Sequence, residues 1–281
     1  MTDVAEDMAI RPLSPALGAE ITGIDLGRAS SAALSRAYDT FLAHSVLVVR
    51  DQDLTPAQFV AFGERFGVVQ PHTVTRNRHP ESAKITVLGS MIGEDRPPDR
   101  AVLMRGVGWH SDMAFEAVPA KATALYAREV PTIGGDTLFA SMYAAYEALP
   151  ERLRARLEPL MGVFKYGGRT AHGTDILTDA QRAKPPVHHP AVRVHPETGR
   201  KALYLNPYHS LGFVGVEPAE SDGMLDEIFA RHLVRPEWEY RHKWRPGDVV
   251  VWDNRCLVHS ATGDYPLDQR RHIWRVCIMA Q

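Results

Sequence analysis

The apolar positions of this chain fall mostly into short runs and two-residue alternations, punctuated by a few stretches at helical spacing. Gly18 to Leu26 (GAEITGIDL) alternates like a strand that ends in a turn. Ser30 to His44 opens on capping-type serines and places Leu34, Ala37, Tyr38, Phe41 and Leu42 at helical intervals, which predicts a helix. Val46 to Val49 is a β-branched run of the buried-strand type. Thr55-Pro56 then starts a second helix, with proline in its first turn and Phe59, Phe62 and Phe66 down one face. Lys84 to Leu88, Ala122 to Val130 and Asp136 to Phe139 read as strands, the last two flanking a Gly134-Gly135 turn, and Ser141 to Leu149 reads as a helix. Farther on, Ala202 to Leu205, Glu237 to Trp244, Val249 to Trp252 and Ile273 to Met279 are strand-like, with a helix near Ser221 to Leu233.

Two segments break this rhythm. Gly89 to Gly108 (GSMIGEDRPPDRAVLMRGVG) is rich in glycine, proline and charge, and Gly167 to Val187 is irregular in the same way. Loops that long inside a compact domain are commonly functional, so 89–108 and 167–187 are candidate lids. Composition adds only bounds. At 281 residues, 44% of them hydrophobic, the chain can bury a substantial core, and one domain over 1–281 is the expectation. A net charge of −2 with scattered basic residues argues against nucleic acid or a membrane surface as partner. The two cysteines, Cys256 and Cys277, form no disulfide framework, no signal-like start is visible, and no stretch is long enough to span a bilayer; a cytoplasmic protein is expected.

The chemistry concentrates in His110-Ser111-Asp112 and in His259. Two imidazoles and one carboxylate are the protein half of a mononuclear non-haem Fe(II) site whose other positions stay open. Residues i and i+2 of an extended segment project to one side, so His110 and Asp112 can address one ion while a distant strand supplies His259. Taken alone, His-x-Asp is a common pattern, met on turns and strand faces. Arg271 and Arg275 follow His259, four apart and hence on one side of a strand; two guanidiniums beside a metal imply bound anions, since arginine holds carboxylates in bidentate fashion. Many strands with ligand-bearing segments far apart predict a mainly β protein with flanking helices, built on a double-stranded β-helix, or jelly roll.

WHSDMAF (Trp109 to Phe115), GGDTLF (Gly134 to Phe139) and WDNRCLVH with its trailing QRRHIWR (Trp252 to Arg275) resemble the taurine dioxygenase and chlorophenoxyacetate dioxygenase (TauD/TfdA) family of Fe(II)/2-oxoglutarate oxygenases, and the likeness runs from GAEITGIDL to Arg275. The resemblance implies that His110, Asp112 and His259 bind Fe(II). It implies that Thr137 and Arg271 bind the distal carboxylate of 2-oxoglutarate, with Arg275 near the substrate anion or the near end of the co-substrate. His72 would contact the substrate, and Tyr208 and Asn206 (LYLNPY) would line its pocket. O2 is the third reactant, with succinate and CO2 as co-products. The implied substrate is a small organic anion, an alkylsulfonate, sulfate ester or aryloxyalkanoate-like acid, whose hydroxylation leads to C–S or C–O cleavage. Asp112 favours hydroxylation, because related halogenases carry a small residue at that position so that chloride can bind. Thr75 and Gly106 stand where the taurine enzyme has tyrosine and asparagine, which argues against taurine itself and for a bulkier or less polar acid. Family members commonly form dimers or tetramers.

Other readings stay open on the residues alone. The same platform could act on an amino acid or natural-product intermediate with stable hydroxylation or desaturation as the end point, or the metal could serve a non-catalytic sensor or carrier. His188-His189 resembles a metal pair only superficially, since neighbours on a strand point to opposite faces. Arg270 reads as solvated, Cys256 as a core thiol, and Trp109 and Trp252 as walls of the site.

Overall fold

The computed structural model describes residues 8–71, 77–89, 103–104, 106–171 and 177–280. In chain order the strands are β1 Ala9–Pro12, β2 Ala19–Thr22, β3 Val46–Val49, β4 Val68–Val69, β5 Arg78–His79, β6 Ser82–Leu88, β7 Ala122–Glu129, β8 Thr137–Ser141, β9 Met161–Phe164, β10 Val187–Pro190, β11 Val192–Val194, β12 Lys201–Leu203, β13 Ser210–Phe213, β14 Glu239–His242, β15 Val249–Asp253, β16 Leu257–Ala261 and β17 His272–Met279. The helices are α1 Ser31–His44, α2 Pro56–Glu64, α3 Met142–Glu147, α4 Glu151–Leu157, α5 Asp179–Arg182 and α6 Pro218–Arg231.

A nine-stranded sheet runs β1-β2-β3-β15-β7-β17-β6-β5, with β4 paired to β17, and a three-stranded sheet β14-β8-β16 faces it. Alternation sorts the side chains of the large sheet into two layers. Val249 and Val251 of β15, Tyr126 of β7 and Val276 of β17 pack under α1 and α2. Val250, Trp252, Leu125 and Ile273 point the other way, onto Phe139 and Leu257 of the small sheet. The outer face of the small sheet, with Ala140 and Val258, is covered by α3, α4 and α6. These layers are the jelly roll expected, mainly β with flanking helices. Each buried aliphatic side chain in them contributes roughly 1.5–3 kcal/mol against a net ~1 kcal/mol for a ladder hydrogen bond, so burial decides which face points inward.

Local signals hold where the chain is locally determined. Ser30 caps α1 by accepting the Ala33 N–H, and Thr55 and Gln58 form a capping box on α2. Phe59, Phe62 and Phe66 are buried, with Phe66 edge-on to Phe41 of α1. The expected strand at Gly18 to Leu26 is shorter, because Gly23 turns left-handed at φ 76°. The last helix begins at Pro218 rather than at Ser221: proline occupies its first turn, and the Ser221 hydroxyl accepts the Phe213 N–H of β13 instead of capping the helix. The helix α4 after Pro150 and the β10-β9-β13 sheet were not foreseen. In the expected segment 167–187, a 3-10 turn at Gly168–Thr170 and the short helix α5 are formed, while residues 172–176 lie outside the described residues. Of the expected lid 89–108, residues 90–102 and 105 lie outside them as well. No helix among the described residues is long and apolar enough to cross a membrane.

Candidate functional site

His259 lies inside β16, opposite Phe139 of β8, so a distant strand supplies it as expected. His110 forms an isolated antiparallel bridge with it, each backbone N–H donating to the other's carbonyl at 3.0 and 2.8 Å. The two rings are thereby held with centroids 4.3 Å apart, tilted by 45°. Ser111 alternates away and donates its hydroxyl to Leu257 O. Asp112 does not continue the strand as expected; Met113 takes a left-handed φ of 56°, and a turn returns the carboxylate to the histidines. The result is that Asp112 Oδ1 lies 4.0 Å from His110 Nε2 and Oδ2 3.7 Å from His259 Nε2. The three ligand atoms all lie within 4.8 Å of one another and all three residues are buried.

Electrostatics prepare this group for a cation. His110 Nδ1 sits 2.7 Å from Gly108 O, an acceptor only, so Nδ1 carries the proton and Nε2 presents its lone pair. Burial pushes both histidines down, His259 well below the usual range, with Asp112 opposing the shift in each. Burial alone would raise Asp112, but Arg275, both histidines and the Thr123 hydroxyl together hold it well below the usual carboxylate range. Neutral imidazoles and an ionised carboxylate are the protonation states a metal requires, so the residues present fit a divalent ion.

The expected anion-binding residues divide. Arg275 Nη2 donates to Asp112 Oδ1 at 2.8 Å, which places the guanidinium beside the candidate ligand carboxylate. Arg271, just before β17, is half-buried with its Nε enclosed and unpartnered and desolvation lowering its pKa, the Tyr265 ring at 5.9 Å being its neighbour. The turn that brings Tyr265 and Arg271 against β8 needs glycine: Gly134 has φ 73°, and a Cβ there would lie 2.7 Å from Asp264 O. Thr137 Oγ1 accepts the Trp244 indole N–H, which leaves its own proton to donate.

On the other side of His110 stands the Tyr208 ring, 5.3 Å away. Asn206 Oδ1 accepts the His209 N–H, and Ser210 N–H donates to Asn206 O, so Asn206 shapes the turn that presents its neighbours. That turn carries His209, which sequence reasoning missed. Strand alternation from Tyr204 through Asn206 to Tyr208 points His209 away, but the turn swings it inward, 6.1 Å from the His110 ring. Its Nδ1 is buried without a partner, and burial, then His110, push its pKa down to about 3. The only available signal was polarity, a histidine in an otherwise aromatic and apolar stretch. Gly106 leaves room beside the site, a Cβ there lying 3.9 Å from His110 Cε1, yet its φ of 76° disfavours any side chain. His72 and Thr75 lie outside the described residues.

A second buried group, His195, Asp253 and Cys256, has metal-like spacing. Its donors are already used. His195 Nδ1 accepts the Glu197 and Thr198 N–H groups, its Nε2 therefore donates to Asp253 Oδ2, and Arg255 covers the same carboxylate. Cys256 is a core thiol pushed far up by burial. His188 is exposed and His189 buried, as alternation requires, and Arg270 pairs with Glu129 at the surface.

Comparison with known proteins agrees with this geometry. The chain is 36% identical over 275 residues to the (S)-phenoxypropionate/alpha-ketoglutarate-dioxygenase of Sphingobium herbicidovorans, covering 94% of this chain and 92% of that protein. It is 35% identical to the alpha-ketoglutarate-dependent 2,4-dichlorophenoxyacetate dioxygenase of Cupriavidus pinatubonensis, covering 94% and 95%. Among solved structures, AAD-2 in complex with Mn(II) and N-oxalylglycine superposes with a TM-score of 0.81 at 30% identity, covering 98% of each chain. The family model described as taurine catabolism dioxygenase TauD, TfdA family matches residues 9–277, and the chain belongs to that family of dioxygenases.

Proposed function

We propose that His110, Asp112 and His259 hold Fe(II), that Thr137 and Arg271 hold the distal carboxylate of 2-oxoglutarate, and that the enzyme hydroxylates a small organic anion. The observation that carries this reading is the buried convergence of two neutral imidazoles and one carboxylate. Bound there, Fe(II) supplies the redox centre through which O2 oxidatively decarboxylates 2-oxoglutarate to succinate and CO2 while the substrate is hydroxylated. Arg271 supports the co-substrate role because its enclosed Nε is unpartnered and no carboxylate among the described residues pairs with it, and Thr137 still has a proton to give. Trp252, 4.7 Å from His259, and Phe139 wall the site against water.

The substrate class is supported by two relatives, named as dioxygenases of (S)-phenoxypropionate and of 2,4-dichlorophenoxyacetate. An aryloxyalkanoate-like acid suits the aromatic surround of Tyr208, Phe115 and Tyr166. Hydroxylation at the carbon bearing the ether oxygen leads to C–O cleavage. Substrate-dependent succinate formation across aryloxyalkanoates, alkylsulfonates, sulfate esters and amino acids tests it. A phenol released in step with succinate supports the reading, and turnover confined to amino acids would replace it with stable hydroxylation.

His209 enters this reading as a neutral donor to the substrate anion. His209→Ala is expected to raise the substrate KM about 2- to 12-fold, the value of one hydrogen bond of 0.5–1.5 kcal/mol, with the 2-oxoglutarate KM unchanged. Steady-state kinetics in each substrate separately check this, and equal changes in both constants would count against it. We further infer one domain over 1–281, because strands from both ends of the chain share the large sheet, and a cytoplasmic location, because Cys256 and Cys277 are free. The family resemblance supports a dimer or tetramer; light scattering reads the mass directly, and a monomer would remove that inference.

A further inference from the structure

Asp112 is held by three tethers, and two of them lead to one residue. Arg275 donates to Oδ1, Thr123 Oγ1 donates to Oδ2 at 2.6 Å, and the Asp112 backbone N–H donates to Asn254 Oδ1 at 3.2 Å. Asn254 is fully buried in the tight turn between β15 and β16. Its Nδ2 donates to Thr123 Oγ1 at 3.0 Å, and its Oδ1 also accepts the Trp252 indole N–H at 3.0 Å. The partners set the amide's orientation: two N–H donors face one end and a hydroxyl the other, so the flipped amide would oppose donor to donor.

We propose that Asn254 is a positioning residue that orients Asp112 for metal binding through Thr123 and fixes Trp252 against His259. The inference rests on the reading of His110, Asp112 and His259 as metal ligands. A threonine hydroxyl has one proton. Because Oγ1 accepts from Asn254, that proton is directed to Asp112 Oδ2, and the carboxylate cannot rotate without leaving Thr123 or Arg275 unpaired. The backbone arm acts on the same residue. Met113 holds a left-handed φ of 56°, which a methionine adopts only when its surroundings enforce it, and the Asp112 N–H bond to Asn254 braces that turn. The third arm sets the Trp252 ring that His259 packs on. One amide therefore ties the Asp112 segment to the Trp252 ring on which His259 of β16 packs.

A turn-forming asparagine with no such role would affect stability alone, and its own N–H, which donates to Lys121 O, does not depend on its side chain. The test is Mn(II) affinity of the metal-free protein, read by electron paramagnetic resonance of the free ion. It compares wild type, Asn254→Ala, Thr123→Val, Thr123→Ser and the Asn254→Ala/Thr123→Val double variant, each checked for native circular dichroism. Loss of an outer partner of a ligand typically weakens metal affinity roughly 10- to 100-fold, and that is expected for Asn254→Ala and Thr123→Val. Thr123→Ser keeps the hydroxyl and is expected to stay close to wild type. The double variant is expected to lose less than the product of the singles, because the Asn254 amide acts on Oδ2 through the Thr123 hydroxyl that Thr123→Val removes. Thr123→Val leaves the turn untouched, so it carries the test if Asn254→Ala fails to fold. Wild-type affinity in folded Thr123→Val, or losses that simply multiply, overturns the proposal. If wild type itself binds Mn(II) no better than His110→Ala, the ligand reading has failed instead.

Discussion

Asp112→Ala is expected to abolish substrate-dependent succinate formation and to weaken Mn(II) binding by more than the roughly 100-fold that marks the upper end for losing an outer partner. The carboxylate is the only anion in the group of His110, Asp112 and His259, and in a buried site its charge acts through a low dielectric. The same change strips Arg275 of the oxygen it contacts and Thr123 of its acceptor. Removing one partner of a buried ion pair costs about 3–5 kcal/mol; Arg275 keeps 21% of its side chain exposed, so a loss nearer 2–4 kcal/mol is expected in urea melts of the metal-free protein. Asp112→Asn separates the effects, since it retains the shape and an acceptor for Thr123 but not the charge. Metal affinity within a few-fold of wild type in either variant would show that Asp112 is not a ligand.

Arg271→Met should have effects of opposite sign on binding and on stability. Arg271 is half-buried, its Nε is enclosed and unpartnered, and no carboxylate among the described residues pairs with it. A 2-oxoglutarate carboxylate left without its cation costs about 2–5 kcal/mol, so the co-substrate KM should rise about 30- to 5,000-fold. Without 2-oxoglutarate, an unpaired, half-buried charge is a liability, and an apolar side chain of similar length should leave the melting temperature unchanged or raise it. The cation–π contact to Tyr265 is worth only about 0.5–1 kcal/mol and does not reverse that sign. A lowered melting temperature together with an unchanged 2-oxoglutarate KM would make Arg271 a structural residue and remove it from the site.

The helices α1 and α2 were legible because capping residues and the apolar faces of Leu34 to Leu42 and Phe59 to Phe66 act within a few residues. Strands β3, β7, β15 and β17 were legible for a similar reason, as runs of side chains buried on both faces. The small sheet β10-β9-β13 was not, since Met161–Phe164 and Ser210–Phe213 are short and contain glycine, and only pairing with each other makes them strands. At the site, His110, Asp112 and His259 were identified by type and motif, and a distant strand brings His259 as expected, whereas Asp112 sits in a turn rather than on an extended segment. Asp112 returns on a left-handed turn, and His110 meets His259 through a cross-strand bridge.

The sequence by itself determined the family and the candidate site residues, His110, Asp112, His259 and Arg271, because these depend on residue type and order. Tertiary structure decided which groups touch. It paired Arg275 with Asp112, made Asn206 a turn former and His209 a neighbour of the metal ligands, and joined Asn254 to Thr123 across 131 residues. Those contacts depend on register between distant strands and on where a turn interrupts alternation, and both are set by burying the shared core rather than by any local signal.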